Sequence, residues 1–243
     1  MIKRNYYKIV RIFPDPSSYF YIKNETMNQE QINVNSSWLS TVNLEYSFDK
    51  VNWRRVDYDV YIPADGYVYL RNTSGTFCTS EYTQVLYPYG NISLGGDIRT
   101  LFNYTDVESV TKIPDYGLYS PFAFQNESKC IDISNLSFRG ITEIGNYGLF
   151  ETFGWNHIGA KGVDLRDVTT LGEGALTRLY YSNTNLKEVY APNVSTWDTS
   201  KTINWLYDVA PTGVVYKPSN LEIPTNDSSG IPSGWTTQDY PTK

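Results

Sequence analysis

Short apolar runs separated by turn residues fill the first ninety positions of the chain. Apolar side chains concentrate at 7–12, 18–22, 42–48, 53–56, 60–62 and 67–70. The runs 42–48 and 53–56 flank Asp49-Lys50-Val51-Asn52 and predict a hairpin. Pro63-Ala64-Asp65-Gly66 joins proline to a glycine that tolerates positive φ, which is typical of a turn. Short strands at about ten-residue spacing predict an antiparallel β-sandwich-like module over residues 1–90.

A self-similar motif begins after Gly90. The segment 110–119 recurs 31 residues later as 141–150, and again 27 residues later as 168–176. Each copy keeps a threonine, an aliphatic residue and a leucine in the same places. Self-similarity at such a period is typical of a stacked-repeat protein.

A second motif accompanies the first. Alternating aliphatic segments that end in a small polar turn lie at 131–136, 163–168 and 189–194. One repeat cannot cover its own aliphatic side chains, so the motif predicts one strand per repeat in a stacked parallel sheet. A loose turn or short helix is expected opposite, near 116–124 and 147–153. The predicted fold is mainly β: the sandwich-like module, a short irregular leucine-rich-repeat-type solenoid over 91–203, and a C-terminal cap over 204–243.

Composition narrows the possible partners. Hydrophobic residues make up 40% of the chain and aromatic residues 16%, enough for a substantial β-rich core. The net charge of -6 argues against nucleic acid. No segment has the apolar length of a secretory signal or a membrane span, so we expect synthesis in the cytoplasm without export by that route.

Cys78 and Cys130 form no CxxC motif, which favours two buried free thiols over a structural pair.

Motifs that carry catalytic chemistry are missing. The sequence contains no GxSxG, P-loop, HExxH or strand-associated GxGxxG pattern. Its single histidine, His157, lies in a glycine-flanked segment and is expected to be a surface or hydrogen-bonded loop residue. We therefore expect no catalytic residue, no metal and no cofactor. A glycan hydrolase stays an alternative, because it needs only two suitably spaced carboxylates among 26 acidic residues.

Aromatic residues in or beside the repeat turns are the candidate ligand or partner contacts. Exposed rings offer large, rigid contact area with a polar tip. The alternative for each ring is packing in the core or between repeats. The candidates are Trp155, Tyr180, Tyr181, Tyr190 and Trp197.

Four further segments resemble a known family. They are Tyr46–Trp53, Gly90–Asp97, Asn204–Gly213 and Ser229–Trp235. In this order they are similar to signatures of BspA-like irregular leucine-rich-repeat proteins, found on the surface of gut Bacteroidales and in their crAss-like phages. The chain departs from the family in one respect: the usual cysteine-containing repeat unit is replaced at 149–153 and 179–182.

The resemblance implies structure or recognition without catalysis. We expect a phage virion protein, as a fibre, tail-associated or capsid-decorating component. Its expected partners are other virion proteins, with self-association as a further option, and a host-surface glycan or protein. The alternative is a bacterial surface adhesin or glycan-binding module located at the cell surface.

Overall fold

The fold is described from a computed structural model over residues 19–34, 42–73, 75, 77–78, 86–88, 90–122, 129–156, 158–226 and 228–241. It is mainly β, with 34% strand and 5% helix, and the sheets of these ranges do not close into a barrel. The mainly β expectation is thereby confirmed. The strand expected at 7–12 and the loop position of His157 lie outside the described residues.

Two antiparallel layers make up the N-terminal part. Their strands are β1 (Phe20–Asn24), β2 (Glu30–Val34), β3 (Leu44–Ser47), β4 (Arg54–Arg55), β5 (Val60–Ile62), β6 (Tyr67–Asn72), β7 (Leu86–Pro88) and β8 (Asn91–Asp97). One sheet, the sandwich sheet, contains β8-β1-β6-β3-β4, and the other contains β5-β2-β7. The predicted hairpin is confirmed, since β3 and β4 pair with Glu45 opposite Arg55.

The turn after β5 carries the chain from one layer to the other. The N–H of Gly66 donates to the oxygen of Pro63 at 2.9 Å, as expected of a turn. The positive φ belongs to Asp65, at 48°, whereas Gly66 does not adopt it, so the role expected for the glycine was wrong. Asp tolerates the left-handed region because its short polar side chain can bond locally.

Short helices and parallel strands make up the second half. They are α1 (Thr100–Asn103), 3₁₀ turns at Val107–Ser109 and Thr199–Lys201, β9 (Lys112–Ile113), β10 (Lys129–Ser137), β11 (Glu143–Ile144), β12 (Lys161–Asp164), β13 (Thr170–Leu171), β14 (Glu188–Tyr190), β15 (Gly213–Lys217) and β16 (Trp235–Asp239). Strands β9, β11 and β13 form one parallel sheet. Strands β12, β14, β15 and β16 form a second, the long-strand sheet.

Strand register reproduces the sequence period. Glu143 pairs with Lys112 on one side and with Thr170 on the other, at offsets of 31 and 27 residues. These are the offsets of the repeated motif. Similar residues therefore lie in register, with Ile144 between Ile113 and Leu171.

Between the parallel sheets the chain forms stacked turns, not the short helix that was one expectation. The N–H of Tyr116 donates to the oxygen of Asn146, and that of Tyr147 to the oxygen of Glu173, at 2.8 and 2.7 Å. The N–H of Gly148, the next residue after Tyr147, instead donates to the oxygen of Gly145 within its own turn. Alternate N–H groups thus bond to the next copy, which satisfies the backbone without a helix. We call residues 114–122, 145–156, 172–183 and 202–208 the turn stack.

A column of rings continues from the sandwich into the turn stack. Phe20, Phe122, Phe153 and Tyr180 stack in this order, with centroids 5.5, 6.2 and 6.0 Å apart. All four are at most 1% exposed. One continuous core therefore spans both halves of the described chain.

Strand β10 joins the two halves. It pairs in parallel with β8, so that Cys130 lies opposite Ile92 and Leu136 opposite Gly96. At Gly96 φ is +79°, and an added Cβ would approach the main-chain oxygen of Tyr19 to 1.8 Å. The motif at 90–97 thus supplies the strand that bridges the sandwich to the repeats, with a glycine that this close approach requires.

The C-terminal segment extends the long-strand sheet. Strand β15 pairs with β14, and β16 pairs with β15. The indoles of Trp205 and Trp235 are buried and donate to the main-chain oxygens of Gly230 and Ala210, each at 2.7 Å. The tail therefore adds two parallel strands to the sheet, while the domain boundaries at residues 90 and 203 stay predictions.

Candidate functional site: a polar cleft beside the parallel sheet

Tyr180 and Tyr181 are neighbours with opposite environments. Tyr180 is 1% exposed, and its hydroxyl accepts a hydrogen bond from the N–H of Val163 at 2.9 Å. Burial raises the pKa of Tyr180 well above its usual value. The expectation that Tyr180 contacts a partner is therefore wrong, because its ring belongs to the core column. Tyr181 is only partly buried and stacks on Tyr207 at 5.2 Å.

Trp155 lies in the same outer ring group as Tyr181. Their centroids are 4.7 Å apart, and the indole N–H of Trp155 donates to Glu151 at 2.8 Å. The group continues to Tyr207, which is 44% exposed. Trp155 and Tyr181 thus reach the surface of the turn stack and stay candidate contacts.

Trp197 packs between stacked copies of the repeat. Its indole N–H donates to the oxygen of Ser229 at 3.0 Å, and its ring lies 5.0 Å from that of Trp205. The side chain is partly buried against the core. These contacts match the packing alternative for Trp197.

Tyr190 lies at the end of β14 in the long-strand sheet, and two cationic side chains lie over its ring. It is 9% exposed and stacks on Tyr216 at 4.7 Å. Lys161 and Arg166 both lie 5.0 Å from its ring centroid. Burial, followed by a hydrogen bond with Glu188, raises the pKa of Tyr190 to about 12. The phenol therefore stays neutral and supports two cations.

These cations border a cleft of about 540 Å³ beside β10 and β12. Strand β10 pairs with β8 while β12 pairs with β14, so the two sheets part between them. Two hydrogen bonds connect the two sheets at this point. The N–H of Gly159 donates to the oxygen of Ile131 at 2.8 Å, and the N–H of Gly140 donates to the carboxylate of Asp167 at 3.0 Å. The lining residues are Ser134, Asn135, Leu136, Ser137, Phe138, Arg139, Lys161, Gly162, Asp164, Arg166 and Asp167.

Opposite charges are mixed along the cleft. Arg166 makes a close bidentate pair with Asp164, with nitrogen–oxygen distances of 2.6 to 3.0 Å. Lys161 lies 3.6 Å from Glu188. Arg139 has no ion-pair partner among the residues that the structure describes. The lining holds three cations and two carboxylates, and Glu188 beside Lys161 supplies a third carboxylate, on a chain of net charge -6.

Other chemistry is limited in the described part of the chain. Cys78 and Cys130 are free and buried, as the cysteine spacing predicted, and burial raises the pKa of both thiols. The described ranges contain no group of three or more His, Cys, Asp or Glu placed to hold a metal ion. No helix within them has the length and apolar character to span a membrane.

Sequence reasoning missed the cleft except at its border, where it selected Tyr190. The charged residues Asp164, Arg166 and Asp167 stood inside a repeated strand motif, where they resembled an ordinary polar turn. Only the divergent pairing of β10 and β12 turns them into a binding surface. Comparisons of the chain with protein-family models, curated proteins and solved structures found no match.

Proposed function

We propose that the protein is a non-enzymatic virion structural component of a phage, acting through protein–protein assembly and host-surface recognition. Its fold in this proposal is a sandwich followed by a short, irregular leucine-rich-type solenoid. The repeat offsets and parallel register support the solenoid. The four family-like segments described above support the virion assignment.

The observation that carries the assembly role is the open end of the long-strand sheet. Among the described residues β16 pairs only with β15, and its side chains from Thr236 to Asp239 are exposed. The outer edge of such a strand presents N–H and C=O groups to a neighbouring chain. Tyr207 and Ile203, 44% and 46% exposed, add apolar anchors on the turn stack.

The alternative is a bacterial surface adhesin or glycan-binding module. The polar cleft supports this class, because it offers both hydrogen-bond donors and acceptors next to an ordered sheet. The two proposals differ in where the protein is found, and both use the same cleft for recognition.

Mass spectrometry of purified phage particles from the source culture separates the two proposals. Peptides of this chain at a copy number stoichiometric with known virion proteins are expected for a structural component. Their absence from particles, with the protein recovered from the bacterial surface fraction, would overturn the virion proposal and favour the adhesin.

A further inference from the structure

We infer that the cleft beside β10 and β12 binds an acidic saccharide, meaning a sugar that carries a carboxylate. The inference deepens the host-recognition part of the proposed function and rests on it. The family resemblance implied a glycan as one possible partner but gave neither its charge nor its site. It follows from the shape, the polar groups and the charge of the cleft.

The cleft has the size and construction of a small-ligand site. Its volume of about 540 Å³ lies within the usual range of roughly 300–1,000 Å³ for such sites. The bonds of Gly159 with Ile131 and of Gly140 with Asp167 fix the relative position of the two strands. Buried Leu136 and Phe138 support the lining from below. A ligand therefore meets walls that are already in place, which lowers the entropic cost of binding.

The polar groups suit a ligand rich in hydroxyls. Each sugar hydroxyl donates one hydrogen bond and accepts others, so its site needs donors and acceptors side by side. Ser137 offers a hydroxyl, Asn135 an amide and Asp164 a carboxylate within the one cleft. Asp164 and Asp167 would repel an inorganic anion that fills the cleft, whereas a sugar can donate its hydroxyls to these carboxylates and keep its own carboxylate at Arg139. The mixture favours a saccharide over phosphate.

Arg139 favours a ligand that carries a carboxylate. Arg166 and Lys161 have acidic neighbours in Asp164 and Glu188, whereas no described residue forms an ion pair with Arg139. A guanidinium binds a carboxylate in a planar, two-bond geometry. An acidic sugar would place its carboxylate on Arg139, the one cation of the lining without an ion pair among the described residues. A neutral sugar could accept hydrogen bonds from that guanidinium but would lack the ionic contact.

Tyr190 supports this site without touching the sugar. Its ring is 9% exposed and lies under Lys161 and Arg166, which leaves no open face for stacking a ligand. We therefore assign it as a positioning residue that holds two cations at the rim of the cleft. This refines the expectation of direct contact at Tyr190.

A panel of acidic and neutral oligosaccharides of matched length tests the inference on the full chain. Uronic-acid and sialic-acid oligosaccharides are compared with neutral counterparts by calorimetry at low salt. At least one acidic member should bind ten-fold or more tightly than its neutral counterpart, with an affinity that falls as salt rises. If no acidic member exceeds its neutral counterpart, or if only acidic peptides bind, the inference is wrong.

Substitutions locate the binding. Arg139→Ala should weaken the acidic saccharide ten-fold or more, and Arg139→Lys should restore part of the loss. Arg54→Ala, at an exposed arginine on β4, is the matched control and should bind as the original protein does. Both arginines are exposed, so the variants should fold. If Arg139→Ala leaves binding of the acidic saccharide unchanged, the cleft is not the binding site.

The outcome is independent of the particle experiment. If the protein is absent from particles but binds an acidic saccharide in an Arg139-dependent way, the virion proposal is wrong and the saccharide site stands, on a cell-surface protein. Presence in particles without selective binding would refute the saccharide inference alone.

Discussion

The side-chain amide of Asn183 donates a hydrogen bond to the main-chain oxygen of Phe153, 2.7 Å away and 30 residues earlier. Asn156 repeats the contact one copy earlier, on the oxygen of Phe122 at 2.5 Å. The two asparagines are fully buried. Their oxygens accept N–H groups as well, from Ile158 and Cys130. Buried amides thus fasten each stacked copy to the one before it.

Removing this amide should destabilise the protein. We expect Asn183→Ala to lower the free energy of unfolding by about 1–3 kcal/mol, because a buried carbonyl and a buried N–H lose their partner. Urea unfolding measures the change. Asn193→Ala, at an exposed asparagine, should stay within about 0.5 kcal/mol of the original protein. Equal losses in the two variants would contradict this role of Asn183.

The ring column predicts a larger loss at Phe153. Its side chain is fully buried between Phe122 and Tyr180. Phe153→Ala should cost about 3–5 kcal/mol through lost burial and a residual cavity. Phe48→Ala, at a ring 45% exposed, should cost clearly less in the same urea experiment. A small effect at Phe153 would mean that the column contributes little to stability.

Arg99 fastens the junction between the sandwich and the repeats. Its side chain is 8% exposed and bonds both oxygens of Asp97 as well as Glu108. Arg99→Ala should cost about 3–5 kcal/mol, because Asp97 is left largely buried without its counter-charge. Arg55→Ala breaks an exposed pair with Asp57 and should cost at most about 1 kcal/mol. Thermal unfolding that ranks the two variants in the opposite order would refute this assignment.

Tyr180 predicts a loss of stability in alkali. Burial holds its pKa above the ordinary value of 10. Between the two pKa values the unfolded chain has released a proton that the folded chain retains. The free energy of unfolding should therefore be constant up to about pH 9 and decrease as pH rises past about 10. Urea unfolding between pH 8 and pH 11 measures this dependence.

A tyrosine-to-phenylalanine pair separates Tyr180 from the other phenols. Tyr180→Phe should make the alkaline decrease shallower. It should also cost about 1–3 kcal/mol at pH 7, since the N–H of Val163 loses its acceptor. Tyr58→Phe, at a side chain 84% exposed, should keep the original slope. An unchanged slope in Tyr180→Phe would place the effect elsewhere.

The two cysteines should be inert in the native protein. Both are buried and free, and burial raises the pKa of each thiol, which suppresses the reactive thiolate. A chromogenic thiol reagent at pH 8 should label neither Cys78 nor Cys130 until denaturant is added, and then label both. Rapid labelling of the native protein would contradict the burial.

Local pattern was enough to predict much of the fold. The motif offsets of 31 and 27 residues anticipated the register of β9, β11 and β13, because stacking aligns equivalent residues. The hairpin of β3 and β4 followed from two apolar runs around a short polar turn. The spacing of the cysteines was enough to favour free thiols. The hairpin depends on residues near in sequence, and the register depends on a period that repeats.

Only the tertiary structure decided which aromatic residues reach the surface. Tyr180 and Tyr181 look alike in sequence, yet one fills the core and the other faces outward. The difference arises in the stacked turns, where Tyr180 packs on Phe153 and Tyr181 on Tyr207. Composition does not indicate which of two adjacent tyrosines is buried.

The cleft likewise depends on long-range pairing. Strand β10 pairs with β8, while β12 pairs with β14, and no local pattern encodes that choice. The sequence by itself determined several of the strands and the period of β9, β11 and β13, whereas the segment 131–136 was expected in the parallel sheet and pairs with β8 instead. Tertiary structure decided that Arg139 and Asp164 share one concavity, because strand pairing between distant segments is settled by how the whole core packs.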